Sequence, residues 1–193
     1  MNLNELRDKA YRNAVTHGFH DEELSNEHCL CLVISELMEA VKADRKGRFA
    51  KVPVDKKGTI FDERTFHYQN KYFAENFEAY IKDCVEDELA DAAIRLLDLC
   101  GLRKIDIEDF TEEMLYGAEE SCNDETFTES VYAISTIPIR YEYEYGYPLG
   151  GQLNSMLLAI FGLAKHLDID LIWHINQKMR YNELRENKHG KKY

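Results

Sequence analysis

Two pairs of acids with equal spacing could do chemistry in this chain: Glu36 and Glu39 in SELMEA, and Glu88 and Asp91 in EDELADAA. Residues three apart on a helix share a face. Leu32, Val33, Ile34, Leu37, Met38 and Ala40 crowd the first pair, and Leu89, Ala90, Ala92 and Ala93 flank the second. The pattern predicts two inward-facing carboxylate pairs, with small alanines letting two helices approach closely. Such carboxylates repel one another unless something positive sits between them. A hard divalent cation, which prefers oxygen ligands, meets that need. Acids at helical spacing more often form a solvated face, and that is our reading of Glu86, Asp87, Glu119 and Glu120.

Helical periodicity dominates the elements that would position these acids. A first helix is predicted over Leu3 to Val15, stopping near His17-Gly18. A second, capped by Ser25 or Asn26, runs to about Lys46 and ends at Gly47. Pro53, Gly58 and mixed charge predict an ordered loop, a lid or a flexible excursion over 47–70. A single long helix is expected from about Phe73 to Gly101, and a short one over Asp106 to Tyr116. Another, capped by Thr126 or Thr128, should end before Pro138. The aromatic, alternating stretch IRYEYEYGYPLGG reads as a packed connection, with a short strand as the alternative. Two more helices follow, about Gln152 to His166 and Asp170 to Asn187, then a basic tail, KHGKKY.

A shift of 62 residues overlays LLDLCGLRKIDIE on LAIFGLAKHLDID, so that Leu96 falls on Leu158 and Ile107 on Ile169. Under that shift Glu88 falls on Gly150 and Asp91 on Leu153. The expectation is a single all-α domain over residues 1–193, built like a four-helix bundle. It would be a tandem of about 24–118 and 119–187 whose second half keeps packing positions and loses the acids.

The bulk numbers narrow the function. The net charge of −12 argues against a binder of nucleic-acid backbones. It leaves room for a small phosphate-bearing molecule, since a bound cation inverts local charge. Five cysteines without zinc-like spacing, and no signal peptide, point to a reducing cytoplasm. No apolar run reaches membrane-spanning length. There is no Ser-His-Asp pattern, phosphate-binding glycine loop or GxGxxG.

SELMEA followed by DELADAAIRLLDL resembles the MazG-like all-alpha nucleoside triphosphate pyrophosphohydrolases, in which ExxE on one helix is followed by ExxD on the next. The resemblance covers roughly Leu24 to Lys46 and Phe77 to Glu108. The segment between the motifs is longer than in compact members. The extra second half is similar to the related dimeric dUTPases, and KMRYNELRENKHGKKY looks like endings of MazG-like chains. The resemblance implies Mg²⁺-dependent (or Mn²⁺-dependent) cleavage of a nucleoside triphosphate to monophosphate and pyrophosphate, as nucleotide-pool house-cleaning. Glu36, Glu39, Glu88 and Asp91 would be metal ligands, with Glu36 or Glu39 also orienting or deprotonating water.

Lys178, Asn182 and Arg185 share a face at i, i+4 and i+7 and are candidates for phosphate contact. Arg95, one turn after Asp91, either reaches the same site or pairs with an acid. Phe19, His20, Trp173 and the tyrosines of YEYEYGY are candidates for a base pocket. A homo-oligomer, dimer or tetramer, is expected. The alternatives are a dUTPase-like or phosphoribosyl-ATP-like specificity, or a non-catalytic helical interaction protein.

Overall fold

The computed structural model describes residues 2–57, 60–61 and 70–190. Among them the chain is all-helical, with no strand. Helix α1 (Leu3–Thr16) starts where Asn2 accepts the Asn4 amide, and the chain leaves it through Gly18 at φ +74°. Helix α2 (Asn26–Asp44) is capped by Ser25, which accepts the His28 amide, and stops before Gly47 at φ +61°. A short helix, α3 (Val54–Lys57), follows. Of the expected loop or lid over 47–70, residues 58–59 and 62–69 lie outside the described residues. Its Ile60 and Phe61 are buried and held by Arg180 and Gln177, which donate to their carbonyls.

The single helix expected from Phe73 to Gly101 is in fact two, α4 (Asn70–Tyr80) and α5 (Val85–Arg103). The break is built by the acids that were read as a solvated face. Asp83 turns left-handed at φ +58°, and its amide donates to the Asp87 carboxylate at 2.9 Å. Glu86 accepts the Ala50 amide at 2.9 Å, while the Lys51 amide donates to the Tyr80 carbonyl. The chain at 48–51 thus fills the notch between the two helices. Glu86 and Asp87 are 9% and 1% exposed, which corrects the surface reading.

Helix α6 (Glu112–Glu120) starts later than expected, at a Thr111 cap. Helix α7 (Phe127–Tyr143) opens with a capping box between Thr126 and Glu129. It does not end before Pro138 but runs through it. Proline removes one helical hydrogen bond, and burial of Val131, Ile134, Ile137 and Pro138 on one face outweighs that loss. Helix α8 (Leu149–His166) and helix α9 (Leu171–Glu183), capped by Asp170, complete the set, with a 3-10 turn at Asn187–Gly190.

Helix α5 is the axis of the molecule. Helices α1, α2, α8 and α9 all pack against it, and α2, α5, α8 and α7 close a four-membered ring. Leu89, Leu96, Leu97, Leu153, Met156 and Leu157 fill the centre, each at most 1% exposed. Helix α1 backs α5 as α6 backs α8, and each approach is closed over a glycine. A Cβ on Gly101 would lie 2.6 Å from Tyr11, and one on Gly162 2.5 Å from Ala118. The left-handed residues closing α5 and α8, Lys104 and Asp168, stand two positions out of register with the 62-residue overlay. A smaller apolar cluster of Phe61, Phe73, Phe77, Ile81 and Tyr181 ties α4 to α9. No helix among the described residues is long and apolar enough to cross a membrane.

Candidate metal centre and adjoining cleft

The packing of α2 and α9 on α5 brings acids from two helices together. One carboxylate oxygen each from Glu36, Glu88 and Asp91 lies within 4.8 Å of the others. Glu36 is on α2, at the edge of the stripe formed by Val33, Leu37 and Ala40, each 0% exposed. Glu39 lies about 60° farther round the helix. It is exposed and stands outside the group. The equal spacing of the two pairs therefore does not translate into equal placement. Asp83, Asp87 and Glu88 form a second, overlapping group of carboxylates.

Two cations enter the cluster. Arg95 Nε donates to Glu36 Oε1 at 2.6 Å. Lys178 Nζ reaches over from α9 to Asp87 Oδ2 and Asp91 Oδ2, both at 2.8 Å. Lys178 is only 5% exposed and serves as an internal counter-ion to α5, where phosphate contact was expected. Burial lowers its proton affinity, but Asp91 and Asp87 outweigh that and hold the ammonium charged.

Apart from Asp83, which Arg48 pairs at 3.6 Å, four carboxylates thus face two cations among the described residues. Among the described residues Glu88 has no ion-pair partner. Burial, then the charges of Asp91 and Asp87, push its carboxyl up to about 8, against the pull of Lys178. Burial raises Asp87 as well, even beside Lys178. Without a further cation the site at neutral pH holds a proton on Glu88.

A cleft opens beside the cluster, enclosing about 830 Å³ including its solvent-open mouth. Asp91 and Arg95 line it from α5, Asn182 from the end of α9 and Arg185 from just past it. The α9 face is therefore divided: Lys178 holds the acids, and the other two residues face the cleft. Asn182 is 7% exposed, and its Oδ1 has no hydrogen-bond partner among the described residues. Phe19 and His20 line it as well, and Asp98 joins Asp91 and Arg95 from α5, with its Oδ1 2.7 Å from His20 Nε2. Trp173 instead packs on Phe61 in the second apolar cluster. Of the YEYEYGY tyrosines, Tyr141 packs partly buried on the core, while Tyr143 at the end of α7 and Tyr145 and Tyr147 beyond it are more than half exposed, and none lines the cleft.

Sequence reasoning missed Asp87 and Asp98. Asp98 was within reach of it, because Asp91, Arg95 and Asp98 stand at i, i+4 and i+7 on one face of α5. No protein-family model matches the chain, and no curated protein or solved structure matches it significantly.

Proposed function

We propose that the chain is a metal-dependent nucleoside triphosphate pyrophosphohydrolase of the MazG-like kind, acting on the nucleotide pool. The observation that carries this reading is the Glu36–Glu88–Asp91 group, with Glu88 lacking an ion-pair partner among the described residues, beside a cleft lined by Asp91, Arg95 and Arg185. The donor set is oxygen only, which suits Mg²⁺ or Mn²⁺.

The three carboxylates would hold the ion, which when bound neutralises phosphate oxygens and activates water. Every other contribution comes from the chain. Lys178 fixes Asp91 through a 2.8 Å ion pair, and Arg95 fixes Glu36 at 2.6 Å, so two of the three donors are oriented beforehand. Arg95 and Arg185 offer planar donors to phosphate oxygens. Water cleaves the bond between the α- and β-phosphoryl groups, giving monophosphate and pyrophosphate. Glu36 is the remaining candidate to orient that water, because Glu39 points outward. The exposed Tyr132, Ile139 and Tyr143 of α7 support assembly as a homo-oligomer, which light scattering would measure.

A panel of nucleoside triphosphates with Mg²⁺ tests the reading, with pyrophosphate as the expected product. Release of inorganic phosphate contradicts the cleavage position. One observation favours a second reading, a non-catalytic helical protein whose acids form a structural ion network. Lys178 and Arg95 already pair three of the four carboxylates. That reading requires no Mg²⁺ binding and no turnover in a folded sample.

A further inference from the structure

The cleft runs along one stripe of α5. Asp91 stands at the acid cluster, Arg95 one turn on, and Asp98 seven residues from Asp91. Seven residues of helix span about 10.5 Å, the reach of a nucleoside from its 5′ oxygen to the edge of its base. Phe19, Leu24, Leu32 and Ile94 give the cleft apolar and aromatic surface, and Asn13, His20 and Asp98 are among its polar lining. Asp98 is 22% exposed, and among the described residues it accepts one side-chain hydrogen bond, from His20 at 2.7 Å. The His20 ring is held against Tyr11 at 5.4 Å between centroids. With Asp98 ionised, His20 carries its proton on Nε2 and spends it on Asp98.

An ionised carboxylate only accepts hydrogen bonds. The lone pairs that His20 leaves on Asp98 call for N–H groups from whatever enters the cleft. Cytosine, adenine and guanine each present an exocyclic amino group. Uracil and thymine present carbonyl oxygens on both sides of a single N–H, and one of those oxygens would face the carboxylate. Leaving a buried polar group without its partner is what allows strong discrimination between similar ligands.

We propose that the cleft between Phe19 and the His20–Asp98 pair is a nucleobase subsite, and that Asp98 makes it selective for bases bearing an amino group. The proposal rests on the pyrophosphohydrolase reading and separates it from a dUTPase-like specificity. His20 is a positioning residue, because it holds Asp98 in place.

The test is calorimetric titration of the full chain with dCMP, dAMP, dGMP, dUMP and dTMP, beside turnover of the matching triphosphates with Mg²⁺. At least one amino-bearing monophosphate is expected to bind at least tenfold more tightly than dUMP and dTMP. Asp98→Asn, which adds an amide donor, should reduce that ratio to threefold or less while far-ultraviolet circular dichroism stays unchanged. If Asp98→Asn does not fold, Asp98→Ser serves in its place, and the wild-type ranking is decisive by itself. Tightest binding of dUMP or dTMP, an unchanged ratio in the folded variant, or no binding of any monophosphate overturns the proposal. Triphosphate cleavage without base preference also overturns it while the pyrophosphohydrolase reading stands. Amino-base binding without cleavage of any triphosphate supports the subsite and removes the activity.

Discussion

Glu88 and Lys178 set the chemistry of the acid cluster, in opposite ways. Glu88 must lose a proton to serve as a ligand, and its carboxyl is pushed up to about 8. Mg²⁺ affinity is therefore expected to rise about tenfold per pH unit up to about pH 8 and to level off above it. Calorimetry in buffers of different ionisation enthalpy would read the released proton directly. Changing an outer-shell partner of a metal ligand costs about 10–100-fold, so Glu88→Gln should cost more than about 100-fold in metal affinity and turnover. Glu39→Gln, changed at an exposed position, should cost far less than Glu36→Gln. Equal losses in the two variants would place Glu39 back among the ligands. Lys178→Met leaves Asp87 and Asp91 without their cation and should destabilise the fold by about 3–5 kcal/mol in urea unfolding. Glu36, Glu88 and Asp91 were legible from spacing and apolar neighbours. Asp87 was not, because a run of acids reads alike whether it is solvated or buried, and only the chain at 48–51 and the return of α9 decide which.

At the scale of elements, two glycines set how closely helices approach. Gly162→Ala gains helix propensity of up to about 1 kcal/mol, but its Cβ would lie 2.6 Å from the backbone of Ala118. Backbone cannot yield as a flexible side chain does, so a net loss of about 1–3 kcal/mol is expected, read as a lower midpoint in denaturant. The helices themselves were legible. Ser25 and the pair Thr126–Glu129 cap as their side chains predict, and the apolar stripes of α2 and α8 follow the 3.6 period. Two of the errors of extent came from long-range packing overriding local signals. The apolar stripe from Phe77 to Leu89 continues across a break that polar bonds to residues 48–51 create. Pro138 is carried inside α7 because its face is buried.

For the whole molecule, the same proton on Glu88 links folding to pH. The unfolded chain releases it near the ordinary value of 4.5, and the folded chain holds it to about 8. Across that window the folded state binds more protons, so stability without metal falls as pH rises. Asp87, also raised, adds to the slope in the same direction. Denaturant midpoints from pH 5 to pH 9 should show the decline, and saturating Mg²⁺ should reverse it at the alkaline end. Glu88→Gln should flatten it. The bond from Lys178 to Asp87 spans 91 residues of sequence. A contact that distant closes late, because the intervening loop must first be ordered. A growing chain therefore carries its acids on α5 well before the lysine that balances them exists. Until α9 docks, Asp87 and Asp91 lack the ammonium that balances them, and the cluster gains that counter-ion only through this contact.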